Sequence, residues 1–437
     1  MKPDKIEVST GIYFHRMPVD KFKTAQLTVY LTLPLSDDST ASKIALLPYV
    51  LRRGTRTYPT SAAIVRRQEE LYSADLFSGV FKQGECQVLG FSVNALCREY
   101  VPQGEDPMPA VISLLREVLF EPCIDKKTGV FLDDYVESEK KNACDRIRSL
   151  QNNKAAYANA RCLEVMCRDE AYSISERGTV EETAKITPAA LFTAYRALLS
   201  EARIDMYYTG TASSEEILSL LRPALEGIHR HPISLPTTVI RRRAAGKSQV
   251  TERAVAAQGK LCIGFRTGVS ITDAEVAACM LFHSVFAASP TSKLFANVRE
   301  RLSLCYSCSS RLHLAKGLFV VSAGIENKKK GRAVREIMRQ LRRMRAGKIT
   351  ENELNMAMRM MINQFRAIED EPTAMERWYL GRELAGISVS HEEVAKAIEE
   401  VTVRDLSRIA KMVTQDTVYF LRGSAEHTEE EEGNIDE

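Results

Sequence analysis

The chain lacks several features that would narrow its function at once. No apolar run among its 437 residues approaches the ~20 that a membrane-spanning helix requires, so no membrane partner is expected. Its first residues, MKPDKIEVSTGIYF, lack the apolar centre of a secretory signal, and a cytoplasmic location is expected. The net charge is only +3, too small by itself to imply binding to nucleic acid or to a membrane surface. None of the seven histidines lies in an H-x-x-E-H or H-E-x-x-H arrangement, the patterns that place two imidazoles and a carboxylate on one helical face. The ten cysteines show no framework of paired spacings, as expected of reduced core thiols in a cytoplasmic protein. Cys305 and Cys308 form a C-x-x-C inside an expected strand, where residues three apart face opposite sides, so no redox or metal role is expected of them.

What is present is an ordinary globular composition, 45% hydrophobic and 27% charged, over a length sufficient for two domains of roughly 200 residues. A strand is expected over Ala25 to Leu35, then a helix from Ser42 to Arg53 stopped by Gly54-Thr55. Pro48 inside that helix should kink it or shift its start. A polar helix around Ala62 to Tyr72, strands at Ala74 to Phe81 and Cys86 to Val93, and an amphipathic helix from Pro107 to Leu119 follow. Asp133 to Arg168 reads as one long helical region with few breakers.

Two stretches repeat at long range. In ITPAALFTAYRALLSEARIDMYYTGT, Ile186, Thr187, Leu191 and Gly210 match Val401, Thr402, Leu406 and Gly423 of VTVRDLSRIAKMVTQDTVYFLRG in order. The strand after Ala25 is echoed by KLCIGFRTG, and the shared long offset points to duplication of a whole domain. Between the halves, 229–258 is rich in Arg, Pro, Ser and Thr and is expected to be a surface linker, with His229 and His231 solvated there. The most basic segment, Lys328 to Lys348, keeps a core stripe of Val334, Ile337, Leu341 and Met344. Its charges therefore form a solvated face, and without interleaved aromatics no nucleic-acid partner is expected. The last residues, 424–437, are acidic and expected to be disordered.

The chain is organised around Ser289 to Ile325, SPTSKLFANVRERLSLCYSCSSRLHLAKGLFVVSAGI. Ser289 and Pro290 suit a helix start, Leu294, Phe295, Val298 and Leu302 recur at helical spacing, and a β-hairpin follows. Arg299 near the helix end and Tyr306 near the strand start are seven positions apart; a guanidinium and a phenol on rigid elements can grip one peptide carbonyl. By residue type alone, a surface charge and an ordinary half-buried strand residue are the favoured readings of the two.

The run KLFANVRERLSLCYS resembles the C-terminal signature of the pitrilysin/insulinase family of zinc peptidases, roughly S-R-L-F-x-x-V-R-E-K-x-G-L-x-Y-S. That resemblance implies that Arg299 and Tyr306 bind the substrate backbone and stabilise the transition state. Two departures stand out: the Gly-rich loop expected before the helix is Ala287 to Pro290 here, and a glycine of the signature is Ser303. The family also implies an H-x-x-E-H motif just ahead of a G-T pair. KIALLPYVLRRGTRTYP is similar to that stretch, with Ala45 and Tyr49 at the His positions and Pro48 at the Glu. None of the three can play the family's part: alanine has no lone pair, proline no carboxylate, and a neutral phenol is a poor zinc ligand. The family's third ligand, a Glu seven positions after another Glu, falls on Arg146 after Glu139, with Asp145 adjacent.

The implied fold is α+β, a tandem of two homologous domains, each a largely antiparallel sheet packed with helices. The expected boundaries are 1–228 for the domain with the degenerate zinc motif and 259–423 for the domain with the Arg/Tyr signature. No metal or other cofactor is expected. The resemblance implies a non-catalytic subunit of a two-chain metallopeptidase of the processing-peptidase type, a heterodimer in which Arg299 and Tyr306 serve a peptide substrate at a zinc-bearing homologous partner. The alternative is an inactive peptidase-like scaffold or peptide-binding protein in an assembly or modification pathway.

Overall fold

A computed structural model of the chain describes residues 2–244 and 246–424; the acidic run beyond Ser424 lies outside them. One sheet holds β1 (Asp4–Ser9), β2 (Ile12–Pro18), β3 (Thr24–Pro34), β4 (Asp75–Gln83), β5 (Cys86–Leu96) and β6 (Arg203–Gly210), in the order β1-β2-β6-β3-β5-β4. The other holds β7 (Ser248–Val255), β8 (Gly259–Arg266), β9 (Cys305–His313), β10 (Leu318–Ile325) and β11 (Thr414–Ser424), in the order β7-β11-β8-β10-β9.

Without β1, the two sheets match strand for strand. Each has one parallel pair, β2 with β6 and β7 with β11, in the same place, and antiparallel pairs elsewhere. The equivalent strands β3 and β8 are near-continuous buried runs, as strands covered on both faces must be. Those are the strands that echo each other in the sequence, and the second echo falls on β6 and β11 with the helices before them. The architecture is α+β with two largely antiparallel sheets, as expected.

The helices of the first half are α1 (Asp38–Leu51), α2 (Ser61–Glu70), α3 (Pro107–Phe120), α4 (Asp133–Ser149), α5 (Lys154–Met166), α6 (Val180–Lys185), α7 (Pro188–Glu201) and α8 (Ser214–Leu225). Those of the second are α9 (Val276–His283), α10 (Lys330–Arg345), α11 (Glu351–Ala367), α12 (Pro372–Leu384), α13 (His391–Glu399) and α14 (Val403–Met412). α1 starts four residues earlier than expected because Asp37 caps it, its carboxylate accepting the Thr40 N–H at 2.8 Å. Pro48 lies inside α1 without ending it. The long helical region is two helices, the second capped by Asn153. The expected linker 229–258 contains β7, whose alternate residues are exposed; its polar composition hid a period-2 pattern.

Compact units do not follow the two halves of the chain. One comprises the residues up to Ser149 with Arg168–Val239 and Asn363–Lys396; the other comprises Leu150–Cys167, Ile240–Ile362 and the residues from Ala397. Each unit therefore takes helical chain from the opposite half: α5 in the second unit, and α12 with the end of α11 and most of α13 in the first. In the second unit, Ala158 and Cys162 of α5 pack on Cys262, Val320, Tyr419 and Leu421. In the first, Met375, Tyr379 and Leu380 of α12 pack on Met17, Tyr30, Val88 and Tyr207. An apolar stripe declares that a helix is buried but not against which sheet, so the expected boundaries 1–228 and 259–423 missed the exchange.

Candidate functional site

The stretch that carries Arg299 begins where α9 ends. The helical path widens into a π-helix over Ser284–Ala288, and a second π-helix runs Phe295–Arg301. The helix start expected at Ser289 and Pro290 is displaced: Ser289 ends the first π-helix, and Ser292 Oγ accepts the Phe295 N–H at 3.3 Å. Leu294 and Val298 are buried and Phe295 and Leu302 half-buried, so the stripe faces inward and Arg299 outward. The segment is tied down at both ends. The buried Lys293 ammonium donates to Glu353 at 2.7 Å, the residue that forms a capping box with Thr350, and Arg301 lies 3.5 Å from Glu336. Arg299 itself is held loosely, 4.6 Å over the Phe295 ring and 3.6 Å from Glu300, with its side chain 42% exposed.

Between the π-helix and β9, Ser303 adopts φ +46°, the left-handed region that glycine occupies without strain. At the place of the signature's glycine the backbone thus adopts a conformation that glycine favours, although the residue is serine. The strand then bulges. Cys305 pairs with Ile325 and Ser307 with Gly324, which leaves Tyr306 as the extra residue, 61% exposed.

The same bulge corrects an expectation about the cysteines. One residue of slip turns Cys305 and Cys308 to the same face instead of opposite faces. The Cys305 thiol is drawn below its usual range by its hydrogen bond with Cys308 and by the Arg299 guanidinium, against the effect of burial. The Cys308 thiol is pushed up by that hydrogen bond and by burial. Arg299 acts on both thiols, and Tyr306 lies between them in sequence, so the two candidate groups share one end of the hairpin.

The replaced metal positions also come together. Ala45 and Tyr49 on α1 and Arg146 on α4 line one cavity of about 280 Å³, with Ser42, Gly79 and Arg177. Pro48, on the same helix, is buried among the core residues. The Arg146 guanidinium lies 3.7 Å from the centroid of the Tyr49 ring, a cation–π stack. Glu139 is enclosed by cations and an amide: Arg53 donates to it at 2.8 Å, Asn142 at 3.2 Å, and Arg146 lies 3.7 Å away. Asp145, one position from Arg146, pairs with Arg148 at 3.2 Å and does not line the cavity. A zinc ion at this place would meet a methyl group, a phenol and a fixed positive charge, so the residues do not fit the metal.

His229 and His231 are exposed. Among the described residues, the group of side chains that could share a cation is Glu369, His391 and Glu392, which sequence patterns had not singled out. There His391 Nε2 is hydrogen-bonded to Glu369 at 2.8 Å, an ordinary pairing at the start of α13. A larger cavity of about 960 Å³, walled by Phe120, Phe192 and Tyr195, contains none of the candidate residues. Among the described residues no helix is long and apolar enough to cross a membrane.

Comparison with known proteins agrees with this geometry. Residues 185–361 match the family model described as Peptidase M16 inactive domain. Over 95% of its length the chain is 29% identical to a protein of Bacillus subtilis (strain 168) named probable inactive metalloprotease YmfF, covering 96% of that protein. The crystal structure of a conserved protein from Enterococcus faecalis V583 superposes with a TM-score of 0.89 at 28% identity, covering 98% of this chain and all of that one. A peptidase M16 inactive domain from Pseudomonas fluorescens shares the fold at 16% identity and a TM-score of 0.79, covering 97% and 99% of the two chains. With its signature stretch inside the matched residues and its metal positions replaced, the chain is similar to the M16 peptidases through residues 185–361, and over nearly its whole length to a protein named as a probable inactive metalloprotease.

Proposed function

We propose that this chain is the non-catalytic subunit of a two-chain peptidase and lends Arg299 and Tyr306 to a zinc-bearing homologous partner. The observation that carries the proposal is the contrast between two exposed groups, Arg299 near the end of its π-helix and Tyr306 at the bulge of the strand that follows, and a metal position without ligands. A guanidinium and a phenolic O–H both donate, and together they suit the oxygen on which charge develops when a peptide carbonyl is attacked. The chain supplies neither the metal nor the water; the partner would. The name of the Bacillus subtilis relative, probable inactive metalloprotease, supports the lack of an activity of its own. Ten cysteines, none of them in a disulfide among the described residues, suit a cytoplasmic setting.

The chain alone is expected to bind no stoichiometric zinc and to hydrolyse no peptide; about one tightly held zinc per chain with chelator-sensitive hydrolysis would overturn this. Reconstituted with the zinc-bearing homologue, Arg299→Ala and Tyr306→Phe should each lower turnover about 10²-fold with assembly intact. The double variant should lose less than the product of the two, because both groups serve one oxygen. Undiminished turnover by the assembled double variant leaves the scaffold or peptide-binding role instead.

A further inference from the structure

The cavity at the replaced metal position has changed the sign of what it can hold. In the family's working arrangement this place takes a dication. Here it is walled by two guanidinium groups, Arg146 from α4 and Arg177 from the loop before α6. Both rise from backbone that the fold fixes. Arg146 lies 3.7 Å over the Tyr49 ring, and one of its N–H groups faces Glu139 at 3.7 Å. Arg177 is placed by its neighbour Gly178, at φ +73°, where a Cβ would come within 2.2 Å of Ser42 Oγ; only glycine lets the loop press so closely on α1. The Thr179 N–H then donates to that same oxygen at 3.1 Å.

The charges around the cavity do not cancel. Glu139 is shared between Arg53 and Arg146, and Glu176, 3.8 Å from Arg177, is also approached by Lys82 at 3.8 Å. Arg52 lines an adjoining cavity of about 370 Å³ together with Arg53, Arg146 and Glu139, and burial lowers its pKa against the opposing effects of Tyr49 and Glu139. Clustered guanidiniums in a concave site, with Ser42 and the backbone of Gly79 beside them, are what a planar anion requires.

We infer that the former metal cavity binds a carboxylate, and that in the proposed complex this is a carboxylate of the peptide, either its C-terminus or an acidic side chain. The space of about 280 Å³ admits one carboxylate-bearing residue and no folded element. That the carboxylate belongs to a peptide rests on the function proposed above; that the cavity takes a carboxylate rests on Arg146, Arg177 and their surroundings alone.

Calorimetric titration of the full-length chain tests both parts. The probes are propionate, inorganic phosphate, and a neutral pentapeptide as free acid, as C-terminal amide, and as amide with one Glu or Gln. The free acid or the Glu-containing amide should bind roughly tenfold or more tightly than its uncharged counterpart, the free-acid pair reporting the terminus and the Glu/Gln pair the side chain. Arg177→Gln should abolish most of that difference, as should Arg146→Gln. Arg177 is an exposed loop residue whose loss does not threaten folding, and it keeps the test sound if Arg146→Gln unsettles α4. Equal binding of acid and amide forms, a preference that survives both substitutions, or tighter binding of phosphate than of any carboxylate overturns the inference. Arginine-dependent binding of propionate without binding of any peptide supports the carboxylate site and overturns its assignment to a peptide, separating this failure from loss of the Arg299 and Tyr306 role.

Discussion

The two sheets repeat one plan, yet α5 and α12, each packed on a sheet from the opposite half of the chain, are fitted in opposite ways. On the second sheet, α5 settles with its charge at the margin: Arg161, Tyr157 and Tyr419 all bond the half-exposed Glu252, and sulfur and methyl groups fill the interior. On the first sheet, α12 carries Glu376 into a fully buried site, where Gln26 donates to it at 2.9 Å and Tyr30 at 3.2 Å. Burial lifts that carboxyl to about 7, although its bonds to Thr28, Gln26 and Tyr30 pull the other way. The lesson is that duplicated topology fixes where a helix docks but not how its polar groups are satisfied. The candidate sites divide in the same way. In the first unit the replaced metal position is a cavity lined by Arg146 and Tyr49, the guanidinium lying over the ring. In the second, the signature segment keeps two π-helices, a strand bulge and a left-handed serine.

The sharpest way to break this comparison is to neutralise Glu376. In the folded chain the carboxyl keeps its proton to about pH 7, whereas unfolded it releases the proton near the ordinary value of 4.5. Between these limits the folded state binds more protons, so the contribution of this group to stability is full below about pH 4.5 and is lost as pH rises through about 7. Glu376→Gln should therefore stabilise the chain at pH 8 by about 2–3 kcal/mol and change little at pH 4.5, measured by denaturant unfolding. Equal effects at both pH values would show that Glu376 is not the proton-binding group.

A somewhat smaller effect should come from the other docked helix. A Cβ at Gly264 of β8 would lie 2.6 Å from Met166 Sδ of α5. Gly264→Val should cost about 1–3 kcal/mol, and Met166→Ala in the same chain should recover part of it; additive losses would mean that α5 does not rest on Gly264. Smaller still, Ser303→Gly should raise stability by roughly 1 kcal/mol, because it relieves a left-handed serine. No gain in the unfolding midpoint would mean that the serine side chain offsets the strain. Arg299→Ala and Tyr306→Phe should fall within about 0.5 kcal/mol of the parent chain, since both side chains point to solvent. A larger loss in either would make it a structural residue and weaken the functional proposal.

Much of this molecule was legible in its sequence because periodicity is a local property. The buried runs of β3 and β8, the stripe of Leu294 and Val298, the caps at Thr350 and Glu353, and the repeat of α7-β6 as α14-β11 all depend on residues close in the chain. The loss of zinc ligands at Ala45, Pro48, Tyr49 and Arg146 was equally plain, since no arrangement of those side chains offers the lone pairs required. What the sequence could not decide depends on partners far away along it. The sheet that α5 or α12 covers is chosen by complementary surfaces hundreds of residues apart, and an amphipathic stripe is silent about them. β7 was hidden because its composition is that of a linker, and only pairing with β11 makes it a strand. The facing of Cys305 and Cys308 was misread because a bulge arises from the register of two strands, a relation that neither strand encodes alone. Only the tertiary structure set Arg146 on Tyr49 beside Arg177, because each lies on a different element and packing alone brings the three together.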